Sequence, residues 1–302
     1  MNCKWIIIKT MLIIIVLFLF IPNTYAGDTT EIPNYLASAG DSISVGVNAE
    51  RFGDNTWASW VNGYHGFWQW LFGLTNVKSH NQRISWLYPY EDRRNYMFAE
   101  AGAKSEDLAD QVAAILASHP LPTYVTVFIG QNDICRDIGE EITPIIEYLA
   151  NVALGLNNLA KGLPPGSTIL VVGPVDVTRL YEVARDKKAL GIVDCEVLWF
   201  FSLFDLYPCW SVLGPGVDDV DRTMIYEDFI QPYNTGLETL VMNLDAADSN
   251  HNFIYSNRAF SFEFLDIHVS DRDCFHPSAI GQKKLSKRLW KAVLPEFLGV
   301  LP

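Results

Sequence analysis

Two patterns of hydrophobic positions alternate along most of the chain. Short unbroken apolar runs end at a glycine, as the run from Tyr124 to Ile129 does before Gly130. Longer segments repeat apolar residues at helical spacing, as the segment from Thr143 to Leu159 does. Unbroken apolar runs separated by helices are typical of parallel strands that are buried on both faces. The pattern therefore predicts an α/β domain with helices on both faces of a parallel sheet, a three-layer α/β/α sandwich.

The boundaries of the predicted elements follow from these runs. We expect strands at residues 35–39, 96–101, 124–129, 168–172 and 252–255, and helices at residues 56–72, 105–119, 143–159, 221–244 and 279–294. Pro232 predicts a kink in the helix at 221–244. Right-handed crossovers would place the carboxyl ends of the strands at one edge of the sheet, where ligands of open α/β sheets bind. Glycines stand at several of these ends, namely Gly40, Gly102, Gly130 and Gly173.

The first 26 residues have the pattern of a cleavable secretory signal. Lys4 and Lys9 form a basic region, an apolar run follows from Met11 to Ile21, and Ala26 supplies a small residue before the cleavage site. This run is shorter than the roughly 20 residues that span a bilayer. We therefore expect residues 27–302 to form one exported domain, secreted or periplasmic, without a transmembrane segment. An uncleaved N-terminal anchor is the alternative.

Charge and composition exclude several classes of protein. The chain has 22 Lys+Arg and 35 Asp+Glu, which gives a net charge of −13, and 49% of its residues are hydrophobic. Removal of Lys4 and Lys9 with the signal would leave 20 − 35 = −15. So many apolar residues exclude a disordered chain, and the negative charge argues against binding to nucleic acid.

Four cysteines remain after the predicted cleavage, since Cys3 leaves with the signal. An even number of cysteines in an exported domain predicts two disulfides. Three pairings are possible, and the positions at strand ends favour Cys135–Cys195 and Cys209–Cys274. No CxxC or HxxxH spacing indicates a zinc site.

A long connection at about residues 176–219 interrupts the alternation of strands and helices. Connections in such folds are usually about 2–6 residues long. One interpretation is a helical excursion with aromatic residues packed in the core. The other is a disulfide-pinned wall or lid of an apolar substrate pocket. The aromatic residues of this excursion are Trp199, Phe200, Phe201, Phe204, Tyr207 and Trp210.

Residues capable of acyl-transfer chemistry stand at or near the predicted edge of the sheet. Ser42 follows the first strand, where its N–H would lie at a helix N-terminus and its hydroxyl would face the crevice. Gly102 allows a ligand to approach the backbone closely, and the Asn132 side-chain amide can donate to an oxyanion. Asp273 and His276 form Asp-x-x-His, in which the carboxylate can orient the imidazole. Taken singly, each motif is also compatible with a helix cap, a turn or a surface loop.

Taken together and in order, these motifs resemble the SGNH hydrolases, also called the GDSL esterase/lipase family, and in particular its secreted bacterial members. The resemblance covers residues 36–285. Two positions differ from the usual family pattern: Ile43 replaces Leu, and no Asn precedes Gly102 within Phe98-Ala99-Glu100. The matching blocks are Gly40-Asp41-Ser42, the isolated Gly102, Gly130-Gln131-Asn132-Asp133 and Asp273-Cys274-Phe275-His276.

The resemblance implies a flavodoxin-like fold with a five-stranded parallel sheet and a serine esterase mechanism. It implies Ser42 as nucleophile, His276 as base and Asp273 as the residue that orients His276. The oxyanion hole would consist of the Ser42 and Gly102 N–H groups and the Asn132 side chain. No cofactor or metal is expected, and the expected partner is a small-molecule or lipid ester.

Three alternatives stay open. The chain could be a carbohydrate acetylesterase on the same scaffold. It could also be a catalytically silent, secreted binding module. A metal site built from Asp266, His268, Asp271 and Asp273 is less favoured than a structural role for His268.

Overall fold

The computed structural model describes residues 34–87, 93–200 and 209–298. The strands are β1 Tyr35–Gly40, β2 Arg94–Met97, β3 Tyr124–Phe128, β4 Thr168–Val172, β5 Lys188–Ala189, β6 Val193–Asp194 and β7 Asn252–Ser256. The α-helices are α1 Ser42–Val45, α2 Phe67–Leu71, α3 His80–Leu87, α4 Leu108–Leu116, α5 Gln131–Ile134, α6 Ile145–Gly162, α7 Arg179–Ala184, α8 Cys195–Phe200, α9 Trp210–Leu213, α10 Asp219–Ile225, α11 Gln231–Ala247 and α12 Ala279–Leu298. Short 3₁₀ turns lie at Thr56–Ala58, Ser105–Asp107 and Asp266–His268.

A five-stranded parallel sheet forms the centre of the fold, in the order β2-β1-β3-β4-β7. Every residue of β3 and β4 is buried, as their unbroken apolar runs predict. The predicted α/β sandwich is thus confirmed. β2 begins and ends earlier than predicted, so Gly102 lies in the loop after the strand and not at its end. The strand lies at the edge of the sheet, where exposed polar residues such as Arg94 are tolerated.

Each face of the sheet packs against different elements. On one face, the ring of Phe128 contacts Trp60 at 5.9 Å and the ring of Tyr124 contacts Phe297 of α12 at 5.4 Å. Val125 and Val127 alternate with these residues along β3 and therefore point to the opposite face. There α4 packs against β1 and α6, and α6 packs against α11. These contacts produce the three layers.

The predicted helix at 56–72 is wrong as a single element. The chain forms only the turn Thr56–Ala58 and, after a loop, the short helix α2. Gly63 lies in that loop, where a Cβ atom would approach the Ser59 carbonyl oxygen to 2.6 Å. Because this close backbone contact replaces helical continuity, Trp60 is fully buried while the residues of α2 project outwards.

The predicted helix at 221–244 is interrupted where the kink was expected. A π-helical turn, Tyr226–Ile230, lies between α10 and α11 and ends just before Pro232. A wider turn at this point accommodates the missing N–H and the ring of proline.

The disulfides are Cys135–Cys209 and Cys195–Cys274, so the favoured sequence-based pairing is wrong. The excursion folds back in two halves, and each half meets a different loop. Ser211 donates its hydroxyl to the carbonyl of Ile134 at 2.6 Å, which brings Cys209 to Cys135. The N–H of Leu190 donates to the Asp271 carbonyl at 2.8 Å, which brings the other half to Cys274.

Several predictions fall on residues that the structure does not describe. The signal segment 1–26 lies outside the described residues, as do Phe201, Phe204 and Tyr207 and the side chain of Phe200. Trp199 is buried, which fits the core-packing interpretation at that position. Across residues 34–87, 93–200 and 209–298, no helix combines the length and hydropathy needed to span a bilayer.

Candidate active site

Ser42 is presented by a sharp turn between β1 and α1, here called the Ser42 segment (residues 40–45). Gly40 has φ +148°, and a Cβ at this position would come within 2.3 Å of the Phe128 carbonyl oxygen, so only glycine fits. The carboxylate of Asp41 accepts the Ile43 N–H at 2.9 Å and caps α1. Ser42 is therefore not the helix cap, which leaves its hydroxyl available for chemistry.

Two buried glutamines hold the Ser42 segment in place. The side chain of Gln111 accepts the Gly40 N–H at 2.7 Å and donates to the Gly40 carbonyl at 2.9 Å. The side chain of Gln282 accepts the Trp60 N–H at 3.0 Å and donates to the Ile43 carbonyl at 2.9 Å. Backbone groups on both sides of Ser42 are thus satisfied by side chains from α4 and α12.

His276 lies in a second loop, here called the His276 loop (residues 270–277). Its Nδ1 atom is 2.6 Å from Oδ2 of Asp273. The other oxygen, Oδ1, accepts the N–H groups of Phe275 at 3.0 Å and His276 at 3.1 Å. Because the ionised carboxylate accepts from Nδ1–H, the Nε2 atom of His276 is left with a lone pair. The disulfide to Cys274 anchors this loop, and Cys274 itself has a left-handed backbone with φ 56°.

Asn48 is a further partner of Asp273. Its side-chain amide donates to Oδ2 of Asp273 at 2.6 Å, and its backbone carbonyl accepts the Ser270 hydroxyl at 2.5 Å. Nothing in the sequence pattern indicated Asn48. Gln111 could have been identified from the sequence, because it lies on the apolar face of a predicted helix and a buried polar side chain needs a hydrogen-bond partner.

Two aspartates in these loops have opposite electrostatic environments. Burial raises the pKa of Asp41 to about 7, against the opposing effects of the Ile43 N–H and the charge of His276. Burial also acts to raise the pKa of Asp273, but the charge of His276 and the hydrogen bonds from His276 and Asn48 outweigh it and hold that pKa below its ordinary value. Asp273 is therefore the ionised partner that a histidine base needs.

Asn132 lies on α5, directly after β3. Its side-chain amide donates to the Ala103 carbonyl at 2.9 Å, and the adjacent Asp133 accepts the hydroxyl and N–H of Ser105 at 2.6 and 2.8 Å. These bonds tie the loop around Gly102 to the loop around Asn132. Gly102 has φ +82° and is exposed; it borders the site and is not among the described residues that line the pocket.

Ser42, Asn132 and His276 line one open pocket with about 580 Å³ of empty space, part of which is open to solvent. The structure thus brings together side chains that are far apart in sequence, and Asp273 contacts His276 as predicted. The remaining lining is largely apolar, with three residues, Gln131, Asp176 and Arg179, as polar exceptions. The apolar lining residues are Ile43, Val177, Leu180, Phe264, Val269, Phe275 and Pro277.

The excursion contributes to this pocket through its first residues, with Val177 and Leu180 on the wall. The aromatic lining among the described residues comes from Phe264 and Phe275, which lie outside the excursion. Both disulfides connect the excursion to loops of the site, one beside Asn132 and the other beside His276. The first residues of the excursion thus form part of the pocket wall, whereas its aromatic residue Trp199 is buried in the core.

The metal alternative finds no support in the geometry. The Nδ1 atom of His268 accepts the Leu265 N–H at 3.0 Å, and its ring lies 5.0 Å from that of Phe262. His268 is thus engaged in local structure. Within the described part of the chain, no group of three or more histidine, cysteine or acidic residues is arranged to hold a metal ion.

Comparisons with known proteins place these observations in context. The family model for the GDSL-like Lipase/Acylhydrolase domain matches residues 36–289. Similar solved structures include an acetylxylan esterase from Geobacillus stearothermophilus, with 14% identity over 86% of this chain and 93% of that one and a TM-score of 0.46. Another is the psychrotrophic esterase EstA from Pseudoalteromonas sp., with 13% identity over 88% of this chain and 99% of that one and a TM-score of 0.43. No curated protein sequence matches the chain.

Proposed function

The chain belongs to the GDSL-like lipase/acylhydrolase family and is a carboxylic ester hydrolase, and we propose that Ser42 is its nucleophile, His276 its general base and Asp273 the residue that orients His276. One observation carries the proposal: Ser42, Asn132 and His276 line the same pocket, and Asp273 lies 2.6 Å from His276. An alcohol, an imidazole and a carboxylate in this order are the components of nucleophilic acyl transfer.

In the first half of the reaction, the Ser42 hydroxyl attacks the carbonyl carbon of the ester while Nε2 of His276 accepts the hydroxyl proton. The tetrahedral intermediate then collapses, His276 gives the proton to the departing alcohol, and an acyl-Ser42 ester remains. Asp273 stabilises the imidazolium through Nδ1 and keeps the ring in one orientation. In the second half, His276 activates water, which releases the acid and regenerates Ser42.

The negative charge of the intermediate would be held by three donors: the N–H groups of Ser42 and Gly102 and the side-chain amide of Asn132. The Ser42 N–H lies at the start of α1. Asn132 is well supported for this role because it lines the pocket and is held by Ala103. Gly102 is supported by its backbone conformation and by the bonds that join its loop to Asn132 and Asp133. Loss of one such donor typically lowers kcat by about 10²–10³.

The apolar lining of the pocket favours substrates with an acyl group longer than acetate. Among the lining residues, Val177, Leu180, Phe264 and Phe275 would bury hydrocarbon. Lipids and other acyl esters are therefore the proposed substrates.

The proposed location of the protein is outside the cytoplasm, secreted or periplasmic. Residues 1–26 would be its signal and residues 27–302 one exported domain. Two disulfides support this proposal, because disulfides form and persist in oxidising compartments.

A fluorophosphonate probe tests the nucleophile directly. We expect covalent labelling of the wild type and of Ser44→Ala, in which a neighbouring buried hydroxyl is removed, but no labelling of Ser42→Ala. Hydrolysis of a p-nitrophenyl ester should fall by about 10⁴–10⁶ in kcat for Ser42→Ala. Wild-type activity in folded Ser42→Ala would refute the assignment, and an inert wild type would indicate a binding module.

A panel of esters tests the substrate. We expect kcat/KM to rise from acetate to longer acyl chains. A strict preference for acetate, together with release of acetate from acetylated xylan, would instead favour a carbohydrate acetylesterase.

A further inference from the structure

A cluster of large aromatic side chains is exposed on the surface and takes no part in the core. It lies on the segment here called the aromatic segment (residues 64–72). Its centre is α2, in which no residue is buried. About two thirds of each of Phe67, Trp68, Trp70 and Phe72 is exposed, at 63%, 64%, 66% and 64%. Scattered exposed apolar residues are ordinary on protein surfaces, but contiguous ones mark interaction sites.

The aromatic segment is an ordered element with its rings turned outwards. Its rings contact one another: Trp68 and Phe72 are stacked at 6.5 Å, and Phe67 meets Trp68 edge-on at 5.5 Å. Its polar side chains bond to its own backbone. Oε1 of Gln69 accepts the Gly66 N–H at 3.1 Å, and the His65 ring lies 2.9 Å from the Leu74 carbonyl. The backbone is thus held without any help from the exposed rings.

The segment is also free of charge. No Asp, Glu, Lys or Arg occurs from residue 55 to residue 77, although 19% of the chain is charged and its net charge is −13. A strongly acidic protein is repelled by an anionic surface, whereas an uncharged patch can approach a surface of zero net charge without desolvating an ion. The charge pattern therefore fits a neutral or zwitterionic partner.

The size and shape of the patch argue against a second copy of the chain as its occupant. An aromatic side chain covers about 150–250 Å², so the four rings that are about two thirds exposed present roughly 400–600 Å². Tyr64 and Leu71, at 55% and 51% exposed, add a smaller share. A stable protein–protein interface needs about 800 Å² on each partner. A single short helix with projecting rings is smaller than that, but it is sufficient to enter the boundary region of a lipid layer.

The polar groups of the segment argue against a carbohydrate as its occupant. Binding of sugars needs several hydrogen-bonding side chains beside the rings. Oε1 of Gln69 and Nε2 of His65 are engaged by the backbone, so the segment offers few such groups beyond the Gln69 amide and the Tyr64 hydroxyl. The rings also fail to share one plane, since Phe67 and Trp68 are inclined by 72°. Tryptophan and phenylalanine are, by contrast, the residues that settle at the boundary between lipid and water.

We propose that the aromatic segment docks the protein on a lipid–water interface of zero net charge, with Trp68 and Trp70 entering the boundary between headgroups and acyl chains. Docking brings the enzyme to esters that are poorly soluble in water. It is separate from hydrolysis, because neither tryptophan lines the pocket that holds Ser42.

Co-sedimentation with phosphatidylcholine vesicles tests the proposal, in the Ser42→Ala background so that no lipid is hydrolysed. We expect the full exported chain to bind, and Trp68→Ser/Trp70→Ser to lower the partition coefficient at least about tenfold. The matched control Ile146→Ser/Ile192→Ser removes two apolar side chains that are 85% and 78% exposed elsewhere and should change it less than about twofold. Replacing about one third of the lipid with phosphatidylserine should weaken binding.

Further measurements separate the competing outcomes. With Ser42 restored, Trp68→Ser/Trp70→Ser should hydrolyse a soluble ester at the wild-type rate, which shows that it folds, and Trp68→Phe/Trp70→Phe should still bind vesicles. The proposal is overturned if the unaltered segment does not bind phosphatidylcholine vesicles or if the control variant loses binding equally. It is also overturned if the segment instead mediates a dimer in analytical ultracentrifugation, or binds insoluble xylan but not vesicles.

Discussion

The Ser42 segment and the His276 loop contribute to one pocket but are stabilised in different ways. The Ser42 segment is built into the core: Asp41 has 0% exposure, and Gln111 and Gln282 reach it from two helices. The His276 loop lies nearer the surface, where the side chains of His276 and Asp273 are 15% and 21% exposed. A disulfide to Cys274 and a hydrogen bond from Asn48 hold this loop.

This difference has an electrostatic counterpart. In the core segment, burial dominates and raises the pKa of Asp41 to about 7. In the loop, the charge of His276 and several donors overcome burial and lower the pKa of Asp273. Removal from water thus favours the protonated form of one carboxyl, whereas surrounding hydrogen bonds and a positive charge favour the ionised form of the other. A nucleophile can be positioned by packing alone, whereas a base must also keep its charge partner.

Loss of the Cys195–Cys274 disulfide, which anchors the His276 loop, should have the largest effect on stability. The bridge closes a separation of 79 residues, and the chain-entropy relation predicts that Cys195→Ser/Cys274→Ser lowers the free energy of unfolding by about 4–5 kcal/mol. Because the His276 loop loses its anchor, kcat should also fall about tenfold or more in protein that is still folded. Urea denaturation and ester hydrolysis measure the two effects.

The second disulfide provides the matched control. Cys135→Ser/Cys209→Ser opens a similar separation of 74 residues and should cost a similar free energy of unfolding. Its kcat should fall less, because the His276 loop keeps its bridge. Equal losses of kcat in both variants would mean that the bridge beside His276 matters no more to the reaction than the bridge beside Asn132.

Asp41→Asn should sharpen the electrostatic difference. The folded pKa of about 7 exceeds the ordinary value of 3.8, so Asp41 contributes stability that is present at low pH and lost as pH rises towards 7. The wild type and Asp41→Asn should be about equally stable at about pH 4, whereas the variant should be more stable by about 3–4 kcal/mol at about pH 8. Denaturation at several pH values measures this difference. A difference that stays constant between the two pH values would contradict a raised pKa of Asp41.

Gln111→Leu should destabilise the Ser42 segment. The substitution leaves the Gly40 N–H and carbonyl buried without their partner, and we expect the free energy of unfolding to fall by about 2–3 kcal/mol. Thermal or urea denaturation measures it. Asn157→Ala removes an exposed hydrogen bond from a side-chain amide to a backbone carbonyl. It should change the free energy of unfolding by less than about 0.5 kcal/mol. Similar losses in the two variants would show that the hydrogen bonds between the Gln111 side chain and the Gly40 backbone have no particular importance.

Asn48→Gly should have the smallest effect and should act on the loop side. Asn48 has φ 51°, which glycine adopts without strain. The substitution removes the donor to Asp273 and also an exposed bond, in which Oδ1 of Asn48 accepts the Gly53 N–H at 2.8 Å. We expect kcat to fall about tenfold, equivalent to about 1.4 kcal/mol. Because loss of the donor raises the pKa of Asp273, activity should be lost at a higher pH on the acidic side. A reduced kcat with an unshifted profile of kcat/KM against pH would assign Asn48 a structural role only.

The strands and the main site residues were predictable because their signals are local. β3 and β4 are unbroken apolar runs with both faces buried, and such runs have few alternatives in a chain of this length. Ser42, Asn132 and His276 follow from motifs whose members lie within a few residues of each other. Their convergence in one pocket follows from the common direction of parallel strands and from the loop before α12.

Other features could not be predicted from the pattern. The helix expected at 56–72 failed because a close approach of the backbone at Gly63 is a tertiary contact that hydrophobic spacing does not record. The disulfide pairing failed because it depends on how the excursion folds back towards two loops. The exposure of the rings of α2 also could not be predicted from the sequence. Trp60 and Trp68 are the same residue type, and only tertiary packing buries one and exposes the other.

The amino-acid sequence by itself determined the α/β architecture, the positions along the chain of the segments that form the parallel sheet, and the residues of the proposed reaction. These properties depend on periodicity and on short motifs, which act over a few residues. Only the tertiary structure decided what holds those residues in place: Asn48 meets Asp273 across 225 positions, and Gln282 meets Ile43 across 239. Such bonds depend on the packing of whole helices and strands, so no stretch of sequence contains them in isolation.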